Sequence, residues 1–163
     1  MLYEYFVIER GIDNMLWEYS PNVANPTSVS GSTVNPMYCY PGDEYVDLVA
    51  LDWYTPSKTD VEQTVANSEQ LAQTGKVFSM AEFGPSGDLV TNLAESDEYK
   101  FNCNDLHDVI TRVRSKGVKI AYWLLWSSWA DTKISMWNMG DGEFFYEDDT
   151  YLTLEDTYKL LYE

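Results

Sequence analysis

The sequence predicts an α/β fold in which parallel β-strands alternate with α-helices. Four segments are mostly apolar along their length, as strands are when both faces of a parallel sheet are covered: 14–19 (NMLWEY), 46–51 (VDLVAL), 77–81 (VFSMA) and 118–125 (VKIAYWLL). Helical patterns lie between and after them. This alternation favours a parallel sheet with right-handed crossovers.

Two helices are predicted from their caps and spacing. Thr59 and Glu62 have capping-box spacing, and Gly75 is the expected stop. The buried face of this first helix is expected to hold Val61, Val65, Ser68 and Ala72. A second helix follows a cap at Asn102 or Asn104 and ends at Gly117, with Leu106, Val109, Ile110 and Val113 on one face.

The chain ends and the remaining connections are less regular. The first eleven residues are typical of the tail of an amphipathic helix, and Leu154, Tyr158 and Leu161 predict a helix at the C-terminus. The link between the first two strands lacks a long helix, with only a helical turn expected at 43–45. The loop at about 127–150 is longer than structureless connections usually are, which tends to mark function.

Charge and composition narrow the ligand classes. The formal net charge of −17 opposes binding to nucleic acid and to anionic membranes. Aromatic residues make up 15% of the chain, and rings together with carboxylates suit the apolar faces and hydroxyls of sugars. No run is long enough to span a bilayer, and no signal peptide is recognised at the N-terminus.

The two cysteines and the single histidine predict no metal site. Cys39, Cys103 and His107 share no ligand spacing, so no metal is expected. The cysteines are interpreted either as buried thiols or as a disulfide that the sequence does not establish. His107 lies beside the apolar stripe of a helix and is interpreted as a surface or satisfied helix residue.

Candidate functional residues stand at the ends of the predicted strands, where ligands bind in parallel α/β folds. Glu82 closes an apolar strand, so it is either catalytic or a cap or ion pair at the rim. Asp52 and Tyr54 differ by two and share a face, which would allow the Tyr54 hydroxyl to orient Glu82. The alternatives are a structural cap for Asp52 and a water-satisfied aromatic for Tyr54.

Aromatic residues end the first and fourth predicted strands. Tyr19 closes the first, and Trp126 closes the fourth on the face that also carries Tyr122 and Leu124. Trp126 suits either the floor of a sugar subsite or the core. Trp123 and Trp129 are expected to be packing or loop aromatics.

Four ordered stretches resemble glycoside hydrolase family 26, which is dominated by endo-β-1,4-mannanases. They are GIDNMLWEYSPN, YPGDEYVDLVALDWY, KVFSMAEFGP and AYWLLWSSW, and together they cover almost the whole chain. The resemblance implies strands five to eight of a (β/α)₈ TIM barrel. Residues 1–163 are therefore expected to form a single partial catalytic domain, the C-terminal half of that barrel.

The resemblance also implies roles for individual residues. Glu82 corresponds to the catalytic nucleophile, Tyr54 to the tyrosine that orients it and Trp126 to the aromatic platform for the sugar. Tyr19 and Asp52 are the further expected substrate-binding residues. No cofactor is implied.

The sequence departs from the family at the acid/base glutamate. Family members carry it in a His-Glu pair at the end of strand four, and no such pair occurs here. Glu18 and Asp52 do not occupy its position, so the expected function is an incomplete half of a retaining glycosidase that cleaves internal β-1,4-mannosidic bonds. The alternatives are a mixed-linkage glucanase or xylanase of the same family, and a non-catalytic sugar-binding or assembly half.

Partners follow from the same expectation. The expected substrate is a β-mannan polysaccharide or manno-oligosaccharide, and neither nucleic acid nor membrane is expected. Half a barrel exposes two sheet edges and a lumen face expected to hold Phe78, Met80, Tyr122 and Leu124, which a second copy or a missing N-terminal half would cover. Secretion is the family expectation, although the sequence does not establish the location.

Overall fold

The computed structural model describes residues 2–22, 35–55, 61–85, 102–127, 135–139 and 141–162. The strands are β1 (Glu18–Tyr19), β2 (Leu48–Thr55), β3 (Val77–Pro85) and β4 (Ile120–Trp123). The α-helices are α1 (Val61–Ala72), α2 (Cys103–Ser115), α3 (Met136–Met139), α4 (Phe144–Glu147) and α5 (Leu154–Tyr162). A π-helical segment (Glu4–Glu9) and a 3₁₀ turn (Asp43–Tyr45) complete the elements.

The four strands form one parallel sheet in the order β1-β2-β3-β4. Sequential strands are neighbours, with α1 between β2 and β3 and α2 between β3 and β4. The predicted fold class, parallel β/α units equivalent to half of a barrel, is confirmed. Each edge strand has one neighbour among the described residues, so β1 and β4 leave the two edges of the sheet open.

The predicted strand bounds were wrong at several ends. β1 begins only at Glu18. The amide of the preceding residue, Trp17, donates to the side-chain carboxylate of Asp47 (2.9 Å) and not to a backbone carbonyl of the neighbouring strand. β2 and β3 each continue four residues beyond their predicted ends, to Thr55 and Pro85. The polar residues expected after these strands therefore lie inside them, held by ladder hydrogen bonds.

One face of the sheet packs against α1 and α2 to form the core. β2 contributes Val49, Leu51 and Trp53, and the Trp53 ring stacks on Phe83 with centroids 5.3 Å apart. The predicted apolar stripe of α2 is fully buried, and Val61, Val65 and Ser68 of α1 are buried as expected. The alternation along β2 leaves Asp52 and Tyr54 on the opposite face, which no described helix covers.

The helix boundaries follow the predicted signals. The Asn102 side chain caps α2 by accepting from the Asp105 amide (3.1 Å), while Asp105 accepts from the Asn102 amide (2.8 Å). Gly75 and Gly117 follow α1 and α2 with φ of 75° and 80°, a conformation that favours glycine. The predicted Thr59 cap lies outside the described residues, as does Trp129.

The predicted lumen face was wrong for two residues. Phe78 and Met80 are buried in the core with the helices, whereas Tyr122 and Leu124 are exposed, as expected for the open face. A β-bulge explains the difference. β2 and β3 pair Ala50 with Ser79 and then Asp52 with Glu82, so β3 holds one extra residue. Ser79 and Glu82 therefore share the open face, and Met80 does not.

The segment after β4 contains two short helices, although a loop was expected. Its described residues include α3 and α4, and Phe145 and Tyr151 contact the Trp123 ring. His107 is satisfied, as predicted, since its two ring nitrogens bond the hydroxyls of Tyr151 (2.6 Å) and Thr111 (3.2 Å). Both cysteines are free thiols. Cys103 is buried as expected, whereas the expected burial was wrong for Cys39, which is exposed.

The two ends of the chain are helical but expose their apolar side chains. Leu2 and Ile8 are exposed near the N-terminus, and Leu154 of α5 is 89% exposed. The C-terminal segment is therefore helical as predicted, but none of the residues of α5 is buried by the described part of the chain. No helix in these ranges has the length and hydropathy to cross a membrane.

Candidate active site

Asp52 and Glu82 are direct register partners on β2 and β3. In a parallel sheet, paired residues point to the same face, so the two carboxylates lie side by side on the open face. The bulge creates this arrangement, because the regular register set by Ala50 and Ser79 would place Ala81 opposite Asp52. The site therefore depends on one extra residue in β3.

Asp52 is held in place from β1. The Ser20 hydroxyl donates to its carboxylate (2.8 Å), its amide donates to the Pro21 carbonyl (3.2 Å), and Asn22 forms an isolated bridge with it. Burial raises the pKa of Asp52, the Ser20 hydrogen bond opposes that rise, and the charges of Glu82 and Glu18 add to it. Asp52 is thus an ordered acid with an increased affinity for its proton.

The Tyr54 hydroxyl is a buried polar group beside Glu82. Burial raises the pKa of Tyr54, and the charges of Glu82 and Asp52 raise it further, so the hydroxyl keeps its proton. Glu82 is close enough to interact with this hydroxyl, but the geometry falls short of a formed hydrogen bond, and the oxygen has no hydrogen-bond partner among the described residues. A small movement of either side chain would complete the bond.

Gly84 leaves room for the Leu125 side chain beside β3. It pairs with Tyr54 across the two strands. A β-carbon at this position would lie 4.0 Å from the Tyr54 ring and 3.2 Å from the Leu125 side chain. The glycine after Phe83 therefore allows β3 and Leu125 to approach closely.

A third carboxylate, that of Glu18, lies on the same face as Asp52 and Glu82. Glu18 of β1 accepts hydrogen bonds from the hydroxyls of Ser79 (2.6 Å) and Tyr122 (2.7 and 2.9 Å). The sequence did not reveal these partners of Glu18. A polar Ser79 inside an apolar strand was the available signal.

Two further residues were predicted to belong to the site, Trp126 and Tyr19. Trp126 is 46% exposed, and Tyr122 and Leu124 are also exposed, as their shared period predicts. Tyr19 packs against Tyr40 with ring centroids 5.3 Å apart and donates its hydroxyl to the Pro36 carbonyl (2.7 Å). The structure thus brings together Glu82, Asp52 and Tyr54. Tyr19 instead contacts the segment that precedes β2 in the chain.

The chemistry available on the open face is that of carboxylates and hydroxyls. Asp52 and Glu82 supply oxygen acceptors for sugar hydroxyls, and a carboxylate is also a nucleophile towards an anomeric carbon. Within the described ranges, no group of three His, Cys, Asp or Glu side chains is arranged to hold a metal ion.

Curated relatives match this chain over most of its length. A protein from Caldalkalibacillus mannanilyticus named mannan endo-1,4-beta-mannosidase A and B is 31% identical over 77% of the chain, and the match covers 20% of that protein. A mannan endo-1,4-beta-mannosidase from Bacillus subtilis is 29% identical over 85% of the chain and 37% of that protein. The chain therefore spans well under half the length of these relatives.

Solved structures share the fold. A modular endo-beta-1,4-mannanase from Cellulomonas fimi superposes with a TM-score of 0.69 at 22% identity, covering 94% of this chain and 35% of that one. A GH26 beta-mannanase from Bacteroides ovatus gives a TM-score of 0.67 at 19% identity, covering 98% of this chain and 45% of that one. These shares are those expected for about half of a barrel.

The family profile of glycosyl hydrolase family 26 matches residues 1–134. The matched range contains all four strands, the bulge and the Asp52–Glu82 pair. The resemblance found in the sequence is confirmed, and the chain belongs to glycosyl hydrolase family 26.

Proposed function

We propose that this chain carries the nucleophile of a retaining β-mannanase, and that the nucleophile is Glu82. The observation that carries the proposal is the bulge that places Glu82 beside Asp52, next to a buried tyrosine hydroxyl without a formed hydrogen bond. A buried hydroxyl this close to a carboxylate can donate a hydrogen bond to it after a small movement. Tyr54 is the proposed orienting residue for Glu82.

The proposed substrate class is β-1,4-mannan. The curated relatives are named mannan endo-1,4-beta-mannosidases. A neutral polysaccharide also suits a chain with a net charge of −17, because it brings no like charge to the site. The exposed indole of Trp126 is the proposed stacking surface for a sugar ring, with Asp52 as an acceptor for sugar hydroxyls.

The proposed chemical step needs no cofactor. A Glu82 carboxylate oxygen forms a bond to the anomeric carbon while the bond from that carbon to the leaving oxygen breaks. The leaving oxygen departs with the bonding electrons and takes a proton from a general acid. Water then adds to the anomeric carbon, loses a proton to the same group acting as base, and releases Glu82.

We propose that the acid/base group comes from outside these residues. The sequence contains no His-Glu pair. Glu18 is the other carboxylate on the open face, but both of its oxygens already accept hydrogen bonds from Ser79 or Tyr122. In the proposed enzyme, Glu82 of this chain is the nucleophile, and the acid/base group that protonates the leaving oxygen belongs to the other half of a barrel.

The same observation favours a second candidate, a non-catalytic sugar-binding half. In that case Asp52, Glu82 and Trp126 bind sugar but no glycosyl-enzyme forms. The two candidates differ in whether Glu82 forms a covalent bond.

The test uses a leaving group that needs no protonation. With 2,4-dinitrophenyl β-mannoside, we expect the purified chain to release up to one dinitrophenolate per chain in a burst, followed by slow turnover because no general base is present. Glu82→Gln should abolish the burst, and the exposed Glu69→Gln variant on α1 should retain it. Locust-bean mannan should be cleaved far more slowly, since its leaving oxygen requires an acid. Sugar binding by calorimetry without any burst would support the non-catalytic candidate.

A further inference from the structure

We infer that Glu18 is a positioning residue that holds the bulged segment of β3 carrying Glu82. The inference rests on the proposed function for its catalytic consequence. Its structural basis is a set of hydrogen bonds that connect three of the four strands beneath the Asp52–Glu82 pair.

Glu18 links strands that are not neighbours. It belongs to β1, yet its carboxylate accepts from Ser79 on β3 and Tyr122 on β4. β1 and β4 are three strand spacings apart, which is roughly 14 Å, so a hydrogen bond between them requires a long side chain from each of the two strands. Ala50 of β2 is the register partner of Ser79 and presents only a methyl group on this face, which leaves room for Glu18 to pass above β2.

The two hydroxyls that Glu18 holds lie next to the bulge, one on β3 and one on β4. Ser79 is the last residue paired in the register before the bulge, three positions ahead of Glu82. Tyr122 precedes Leu124 by two residues, and Leu124 exchanges backbone hydrogen bonds with β3 across the bulge. The Leu124 amide donates to the Met80 carbonyl (3.0 Å), and the Phe83 amide donates to the Leu124 carbonyl (3.0 Å).

Bulges interrupt the ladder and leave the strand locally less constrained. Here the extra residue lies directly before Glu82, so its conformation sets the direction of the Glu82 side chain. Fixing Ser79 and Tyr122 to a common carboxylate limits the relative movement of β3 and β4 at this point. Glu18 therefore acts on Glu82 through the backbone, without contact with the reacting atoms.

Tyr122 is suited to this role. Burial raises its pKa, the nearby Ser79 hydroxyl opposes that rise and Glu18 adds to it, so the hydroxyl keeps the proton that it donates. Two hydroxyls that donate to one carboxylate connect β3 and β4 to β1 through side chains, in addition to the backbone ladder.

The experiment combines hydrogen exchange with burst kinetics in three variants: Glu18→Gln, Tyr122→Phe and Tyr38→Phe. The Tyr122 variant keeps a ring at a partly exposed position and is expected to fold, while Tyr38 is 85% exposed and serves as the matched control. Amide exchange is followed at Phe83 and Leu124, with Val109 and Val113 of α2 as internal references.

We expect Glu18→Gln and Tyr122→Phe to accelerate exchange at Phe83 and Leu124 by about tenfold without changing the α2 amides. The burst rate constant should fall by up to about 100-fold, since a displacement near 1 Å has that effect, while the half-saturating mannoside concentration stays unchanged. Tyr38→Phe should match the wild type in both measurements.

Two results would overturn the inference. Unchanged exchange at both amides in both variants would show that Glu18 does not hold the bulge. Faster exchange with a wild-type burst rate would show a purely structural link. A wild-type chain without a burst would instead refute the proposed function, and the exchange data would then still decide whether Glu18 holds the bulge.

Discussion

The Tyr54 hydroxyl is buried next to the Glu82 carboxylate without a formed hydrogen bond. Both residues lie on the open face at the bulged pairing of β2 and β3. In the folded chain this hydroxyl lowers stability, because its desolvation is not offset by a partner. We propose that the tyrosine serves to orient Glu82, and this relationship is the basis for the first prediction.

Replacing Tyr54 should therefore separate stability from activity. We expect Tyr54→Phe to leave the free energy of unfolding unchanged or to raise it by about 1 kcal/mol, because an unsatisfied hydroxyl is removed. The dinitrophenolate burst should slow by at least about tenfold if the hydroxyl orients Glu82. Urea unfolding and burst kinetics on the same preparation measure the two effects. A loss of stability above about 1 kcal/mol would show that the hydroxyl has a partner in solution.

Asp52 should make stability depend on pH in an identifiable direction. Its folded pKa is raised above the ordinary value of 3.8, chiefly by burial, so the folded state holds the proton to higher pH than the unfolded chain does. Stability from this group is therefore lost as the pH rises from about 3.8 through the folded pKa, and it stays lower above that range.

The Asp52→Asn variant isolates this contribution, since other carboxyls titrate in the same region. Asparagine keeps an acceptor for Ser20 and has no charge. We expect the variant to be more stable than the wild type at pH 7 and the difference to disappear below pH 3.8. Urea unfolding of both proteins between pH 3 and 8 provides the measurement. A difference that is constant over this range would contradict the assigned shift.

The core beneath the site should be sensitive to truncation at Trp53. The ring is 1% exposed and stacks on Phe83, the residue after Glu82. Trp53→Ala should destabilise the chain by roughly 3–5 kcal/mol through the lost burial and the cavity left behind. The exposed Tyr38→Ala variant should change stability by less than about 0.5 kcal/mol. Similar effects of the two substitutions would mean that Trp53 is not packed as described.

The start of α2 offers a test of local structure. Asn102→Ala removes the side-chain acceptor that forms one half of the capping box. This loss should lower the free energy of unfolding by about 1 kcal/mol. Asn102→Ser keeps an acceptor and should retain most of the stability. Thermal unfolding of the three proteins gives the comparison, and equal losses in the two variants would exclude the cap as the cause.

The sequence was most informative where local rules operate. Uniformly apolar strands predicted the parallel sheet, and the stripe of α2 with its glycine stop predicted a buried helix at the observed place. The strand ends were predicted less well. β2 and β3 extend past Asp52 and Glu82, because pairing with a neighbouring strand overrides the weak local preference of polar residues for loops.

The site was predictable in its residues but not in its geometry. Glu82, Asp52 and Tyr54 followed from their positions near strand ends, and Trp126 from its period. The bulge has no local signature in VFSMAEFGP, so strict alternation placed Met80 on the wrong face. The Glu18 network joins residues 61 and 104 positions apart, a distance that no periodic pattern describes.

The most direct test of the central proposal is to trap the glycosyl-enzyme. Incubation with 2-deoxy-2-fluoro-β-mannosyl fluoride, whose leaving group needs no acid, should attach one fluorosugar per chain. Peptide mass spectrometry should place it on Glu82, and the label should be lost in Glu82→Gln and retained in Glu69→Gln. A label on Asp52 or Glu18, or binding of the reagent without any covalent attachment, would contradict Glu82 as the nucleophile.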